Sequence, residues 1–76
     1  GRHRAAIDIV TDLIRRGQMA GKYRKDFDPA LKAVQIVSLV NGMEISWLLD
    51  PSVPLQEALQ EYARSLAREF APDATS

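Results

Sequence analysis

Apolar residues recur at three- and four-residue spacing in three segments of the chain, which is the pattern of helices with one or more buried faces. The expected helices cover residues 4–20, 29–49 and 54–70. No segment shows the alternation of apolar and polar residues that indicates a β-strand. The expected fold class is therefore all-α, with three antiparallel helices in one domain over residues 1–76 and a flexible tail at 72–76.

Residues at the ends of the second segment mark its boundaries. Asp28 is placed to cap the free amide groups, and Pro29 fits the first helical position, where its missing N–H costs nothing. Asp50 precedes a proline and resists the α conformation, so the helix should end there. Before this segment, Gly21 is a plausible end of the first helix, since glycine accepts a left-handed backbone.

The third helix is expected to open at Pro54, with Ser52 close enough to help cap it. In the connector before the second helix, Tyr23 and Phe27 are expected to fold back onto the core and close a hydrophobic seam.

The first and third helices each have a single apolar face, as expected for helices with one side in water. The apolar face of the first helix consists of Ala6, Ile7, Val10, Leu13, Ile14 and Gly17. Its solvated face consists of Asp8, Thr11, Asp12, Arg15 and Gln18. The apolar face of the third helix consists of Leu55, Ala58, Leu59, Tyr62, Ala63, Leu66 and Phe70.

The second helix is apolar on two sides, and this distinguishes it from the other two. One side, expected to face inward, carries Leu31, Val34, Val37, Ile45 and Leu48. The other side carries Ile36, Leu39, Val40, Met43 and Trp47. Two neighbouring helices cannot wrap a helix of about twenty residues completely, and the uncovered stripe predicts a second chain. Two-fold symmetry is the commonest way for a second copy to cover it, so we expect a homodimer.

The composition of the chain argues against several kinds of binding site. Ten basic residues balance ten acidic ones and there is no cysteine, which excludes disulfides and thiolate metal sites. His3 is the single histidine, so no histidine-only metal site exists, and neither a metal nor a cofactor is expected. A neutral chain lacks the basic surface typical of nucleic-acid binding. We expect no membrane span and see no signal peptide.

Three blocks together resemble the C-terminal regulatory domain of TetR-type transcriptional repressors. The first is 13–24, a helix followed by a Gly-x-aromatic-Arg turn. The second is 26–51, with the Asp-Phe-Asp-Pro start and the mid-helix Gly42, which resembles the next-to-last helix of that family. The third, 55–70, is similar to its last helix. The order and spacing of the blocks carry the resemblance over nearly the whole chain.

The resemblance implies a function. In that family the last two helices of each subunit form a four-helix bundle with those of a partner. A small-molecule effector enters a pocket of the regulatory domain, and a separate N-terminal helix-turn-helix binds operator DNA. Because the helix-turn-helix is missing here, we expect a fragment that contacts operator DNA only through that missing domain. The resemblance also implies a cytoplasmic regulator that is not an enzyme.

Candidate site residues follow from the second and third helices. The expected dimer interface consists of Ile36, Leu39, Val40, Gly42, Met43, Trp47, Leu59, Tyr62 and Leu66. The alternative for Trp47 and Tyr62 is a place in the core of the single chain. The expected ligand-binding residues are Asn41, Val37 and Ile45, with the alternative that the Asn41 amide is satisfied by backbone or water. Ser38, Gly42 and Ser46 lie one turn apart and allow another helix to approach closely.

No catalytic residue is expected. Glu44 has no second carboxylate, histidine or lysine at a useful spacing for general acid–base chemistry. It could instead pair with Arg64 or Arg68, or with a basic residue of a partner chain. A cluster of basic residues has acids close by, so we interpret it as solvated surface rather than a phosphate site. The cluster consists of Arg15, Arg16, Lys22, Arg24 and Lys25.

A second hypothesis is a small helical adaptor, in which the exposed groove of the second helix receives a partner's amphipathic helix. Self-association discriminates the two hypotheses, because the repressor fragment requires a stable homodimer and the adaptor a monomer.

Overall fold

The computed structural model describes residues 1–73. It contains α1 (Arg2–Met19), α2 (Pro29–Leu49) and α3 (Leu55–Phe70), with no strand among these residues. The all-α fold class is confirmed, and each helix begins and ends within two residues of its predicted bounds. The expected flexibility at 74–76 lies outside the described residues.

The core lies between α1 and α2. Ile7 of α1 packs against Ala33 and Val37 of α2, and Ala6 and Val10 are partly buried against this cluster. Ala33 has no exposed surface at all. Its small side chain lets the two helix axes approach closely, so the contact runs along a stripe of short side chains rather than along the largest ones.

The buried stripe of α1 differs from the predicted one in two places. Thr11, expected in water, is only 8% exposed, and its Oγ1 donates a hydrogen bond of 2.7 Å to the carbonyl of Ile7. Leu13, expected in the core, is 57% exposed. Both predictions were wrong because α2 covers the side of α1 that carries Ile7, Thr11 and Ile14, and a hydroxyl bonded within its own helix can be buried there.

The connector between α1 and α2 starts as predicted. Met19 ends α1, and Gly21 follows with a φ of +74°, the left-handed conformation that favours glycine. Farther along, Tyr23 and Phe27 fold back as predicted and pack on Phe70, with ring centroids 5.3 Å and 4.9 Å from it. Phe70 is buried, so this aromatic cluster closes the end of the molecule.

Tyr23 lies directly on the backbone of α1 at Gly17. A Cβ added at Gly17 would overlap the Tyr23 ring. Gly17 is itself buried, and glycine is required there because the ring takes the space of a side chain.

Both predicted boundary signals of α2 are confirmed. The Asp28 side chain accepts hydrogen bonds from the amides of Ala30 (2.8 Å) and Leu31 (3.4 Å), and Pro29 occupies the first turn. Asp50 adopts an extended conformation and ends the helix.

The start of α3 differs from the prediction. Pro54 occupies the capping position itself and α3 has no side-chain cap, so the expected role of Ser52 is wrong. The hydroxyl of Ser52 instead donates to Asp50 Oδ1 at 2.7 Å, and its amide donates to the same oxygen at 3.1 Å. These two hydrogen bonds lower the pKa of Asp50. Ser52 therefore bonds to Asp50, which is the nearer acceptor, and does not cap α3 as the sequence predicted.

The three helices form a thin body that measures 43 × 30 × 14 Å along its principal axes. The shortest dimension is little more than one helix diameter of about 10–12 Å, so much of α2 has no layer above it. The C-terminal end of α3 is tied to α2 by an ion pair of 2.6 Å between Lys32 and Glu69. Among residues 1–73 the backbones of α1 and α3 do not contact each other.

The ion pairs on the surface agree only in part with those suggested by the sequence. Arg16 pairs with Asp12 at 2.8 Å, four residues away on α1. Arg64 and Arg68 both bond to Glu61, and these bonds lower the pKa of Glu61. Of the two possibilities for Glu44, pairing with these arginines does not occur, because Glu61 on their own helix is within reach.

We expect Gly17→Ala to destabilise the chain by about 1–3 kcal/mol through overpacking against Tyr23, although alanine is the better helix former. In a Tyr23→Ala background the overlapping ring is gone, and the same change should stabilise by up to about 1 kcal/mol. Urea unfolding of the four chains measures both increments. Equal increments in the two backgrounds would contradict the close contact.

We expect Asp28→Ala to cost about 1 kcal/mol of unfolding free energy, because two amides of α2 lose their acceptor. Asp28→Asn is the matched control, since asparagine caps helices about as well and keeps the oxygen in place. Urea unfolding measures both variants. If Asp28→Asn lowers the unfolding free energy as much as Asp28→Ala does, the effect comes from the charge of Asp28 and not from capping.

Candidate functional site

The surface of α2 is the most unusual feature of the fold, because large apolar side chains on it lie in water. Seven of them are between 41% and 83% exposed: Leu31, Val34, Leu39, Ile45, Trp47, Leu48 and Leu49. They lie on both sides of the helix, and soluble proteins seldom leave this much apolar surface uncovered unless a partner binds there. The candidate site is therefore an interaction surface on α2.

Small residues interrupt this surface at its middle. Ser38, Gly42 and Ser46 are exposed and follow one another at successive turns. A Cβ added at Gly42 meets nothing within 4 Å in the single chain. The packing of this chain alone therefore gives no reason for a glycine, which costs about 1 kcal/mol in a helix interior relative to alanine.

The residues predicted for the dimer interface divide into two groups. Leu39, Gly42 and Trp47 are exposed and free to contact another molecule. The others are half-buried and use part of their surface within the chain: Ile36, Val40, Met43, Leu59, Tyr62 and Leu66.

Burial raises the pKa of Tyr62, with Glu69 adding to the rise and Lys32 opposing it. The phenol of Tyr62 therefore lies partly out of water beside the ion pair that joins α2 and α3.

The side of α2 expected to face inward is mostly exposed. Of its members only Val37 is buried, whereas Leu31, Val34, Ile45 and Leu48 all lie in water. This expectation was wrong because α1 meets α2 along Ala33 and Val37, whose short side chains permit a close approach. In the sequence, the signal for this contact was the small residue Ala33 in a helix whose other apolar residues are mostly large.

The three predicted ligand-binding residues lie on successive turns of α2 and differ in access. Val37 is buried, Asn41 is half-buried and Ile45 is exposed. The Asn41 Nδ2 lies 3.3 Å from Nδ1 of His3, near the start of α1. With the amide in this orientation Asn41 donates and the imidazole accepts, which requires a His3 tautomer with Nδ1 unprotonated.

Apart from the surface of α2, the structure has a concavity of about 780 Å³ where the connector meets the residues after α3. Sequence reasoning missed it, and the only signal was the local cluster of charges that was interpreted as solvated surface. The concavity is lined by Gly21, Tyr23, Arg24, Lys25, Asp26, Pro72 and Asp73.

The charges in this concavity largely satisfy one another. Arg24 bonds to Asp26 at 2.8 Å, which raises the pKa of the guanidinium, and it lies 4.0 Å from Asp73. Such a pairing does not poise a group for acid–base chemistry.

The side chains and helices of residues 1–73 also bear on metal binding and membrane insertion. Within residues 1–73 no group of three or more histidine, cysteine, aspartate or glutamate side chains could hold a metal ion. None of the helices described is long and apolar enough to cross a membrane.

Comparison with known proteins assigns the chain to a family. The model of the C-terminal domain of BetI-type transcriptional repressors matches residues 1–71. Neither the curated proteins nor the solved structures contain a match to the chain. The match covers nearly the whole chain, in agreement with the TetR-type resemblance seen in the blocks of sequence. The chain belongs to the family of BetI-type transcriptional repressor C-terminal domains.

Proposed function

We propose that this chain is the dimerisation and effector-sensing portion of a TetR-type transcriptional regulator. The observation that carries the proposal is the exposed apolar surface of α2 in a chain of this family. In this proposal a helix-turn-helix domain outside the chain binds operator DNA, and the chain itself performs no catalysis. The intact regulator works in the cytoplasm.

The thin shape of the chain supports a homodimer. A chain of this size buries only about 60% of the surface that its unfolded form exposes, and its stability as a monomer is marginal. The core between α1 and α2 is correspondingly small. A second copy that covers α2 would bury apolar surface that the single chain leaves in water, and each buried Å² contributes about 25 cal/mol.

The interface is centred on the exposed members of the predicted set. Leu39 and Trp47 supply large apolar surface, and Gly42 between them leaves room for a helix of the partner. The half-buried members extend this surface toward α3: Ile36, Val40, Met43, Leu59, Tyr62 and Leu66. Dimerisation through α2 and α3 would give the four-helix bundle that the resemblance implies.

The effector-sensing part of the proposal is placed at the edge between α1 and α2. Asn41 offers a polar group beside His3, and Ile45 offers apolar surface one turn later. One polar group within an apolar wall is the usual composition of a site for a small organic molecule. Val37, the third residue of the set, lies beneath them in the core.

The alternative function is a helical adaptor, in which the exposed surface of α2 receives an amphipathic helix of another protein. The same exposed side chains favour it, but it predicts a chain that stays monomeric without its partner.

We expect the purified chain to be a dimer down to low micromolar concentration, and light scattering across a dilution series measures its mass. Trp47 is the single tryptophan and is 41% exposed in the single chain, so its fluorescence reports on the interface. The emission maximum should shift to longer wavelength on dilution, together with the fall in mass. A folded monomer at all concentrations would reject the dimer and favour the adaptor.

We expect Gly42→Leu to weaken dimerisation by about tenfold or more, because overpacking at a close helix contact costs about 1–3 kcal/mol. The fold of each chain should survive, since nothing lies within 4 Å of the added Cβ. Gln60→Leu adds a leucine on the exposed face of α3 and is the matched control. Sedimentation equilibrium compares the three chains. Unchanged affinity in Gly42→Leu would remove Gly42 from the interface.

A further inference from the structure

Among residues 1–73, the connector at residues 20–28 is the one segment whose backbone hydrogen-bonds to both α1 and α3. These two helices do not contact each other's backbones within residues 1–73, and each packs on α2 instead. Any displacement of α1 must therefore reach α3 either through α2 or through the connector. The contacts of the connector with each helix decide which route is the more direct.

The connector is held to α1 at Gly17. The Gly17 carbonyl accepts hydrogen bonds from the amides of Lys22 (2.9 Å) and Tyr23 (3.2 Å). The Tyr23 ring lies on Gly17 so closely that a side chain there would overlap it. The ring and the backbone of α1 are thus in direct contact, with no flexible side chain between them.

A second attachment to α1 comes from Gln18. Its Nε2 donates to the carbonyls of Arg24 and Phe27, at 3.2 Å each. One side chain of α1 therefore spans both halves of the connector and holds their spacing.

The opposite side of the connector is held to the last turn of α3. The amide of Arg24 donates to the Phe70 carbonyl at 2.8 Å. The rings of Tyr23 and Phe27 pack on the Phe70 ring, Tyr23 edge-on and Phe27 stacked. Phe70 is the one buried residue of α3 among those described, so α3 is anchored chiefly at this end.

We propose that the connector is a conformational coupling element, in which Tyr23 transmits displacement of the C-terminal end of α1 to the last turn of α3. The ring is packed between Gly17 and Phe70, and close-packed groups shift together rather than deform. The coupling is a property of the single chain and does not rest on the proposed function. In a dimer formed through α3, it would connect movement of α1 to the interface.

The test measures amide hydrogen exchange by NMR in the full 76-residue chain. Gly17→Ala displaces the Tyr23 ring, and we expect exchange at the amides of Arg24 and Phe70 to accelerate by about tenfold, within the usual range of coupling between sites. Amides 59–61 of α3 should change much less, because they are far along the helix from Phe70. Uniform acceleration along α3 would overturn the proposal.

Two control chains separate coupling from general loss of stability. Ile7→Val weakens the core between α1 and α2 away from the connector, and it should accelerate exchange without singling out the last turn of α3. In a Tyr23→Ala background, Gly17→Ala should not accelerate exchange at the Phe70 amide beyond the rate of Tyr23→Ala alone. A further acceleration there would show a route that bypasses Tyr23, contrary to the proposal.

The reverse measurement keeps the proposal testable if Gly17→Ala fails to fold. Coupling between two sites is reciprocal, so Phe70→Leu should accelerate exchange at the Lys22 and Tyr23 amides, which bond to Gly17. The amides of the first half of α1 should keep their rates relative to the wild-type chain. Unchanged exchange at Lys22 and Tyr23 in Phe70→Leu would overturn the proposal by itself.

Discussion

The need to cover α2 governs the rest of this structure. The helix has 21 residues and carries large apolar side chains around most of its circumference, whereas α1 and α3 each have only one apolar face to offer. α1 covers the stripe at Ala33 and Val37, and α3 is tied on at Lys32. Seven large apolar side chains between Leu31 and Leu49 are exposed in the single chain. Helices with this much apolar surface are normally covered, and the proposed homodimer is the simplest assembly that would cover α2.

The second organising feature is the aromatic cluster at the opposite end of the molecule from the α2–α3 turn. Phe70 is buried between Tyr23 and Phe27, and the connector's backbone bonds to both α1 and α3. The thin body has little core elsewhere for α3, whose apolar face is otherwise only half-buried. Close packing therefore holds α3 mainly at this end, which is where the proposed coupling between the helices would act.

Local chemistry made the helices and their ends predictable. Asp28 and Pro29 start α2, Asp50 ends it and Gly21 follows the end of α1, because caps, prolines and left-handed glycines act through neighbouring residues alone. The contact stripes were less predictable. Thr11 is buried and Leu13 exposed, which depends on the direction from which α2 approaches rather than on the residues of α1. For the candidate site, the sequence predicted the excess of apolar surface on α2. It did not predict which of these side chains lie in the core and which in solvent.

Three features of this chain follow from its sequence alone: it forms three helices, the second helix has more apolar surface than its neighbours can cover, and the blocks resemble a TetR-type regulatory domain. Periodicity and capping act over a few residues, and the chain carries them without regard to its tertiary structure. The packing of α1 along the small residue Ala33, and of Tyr23 on Gly17 against Phe70, arises only when the helices come together. Those contacts depend on the distance and crossing angle between helix axes. The side-chain volumes of two helices together determine both quantities, so no single segment of sequence encodes them.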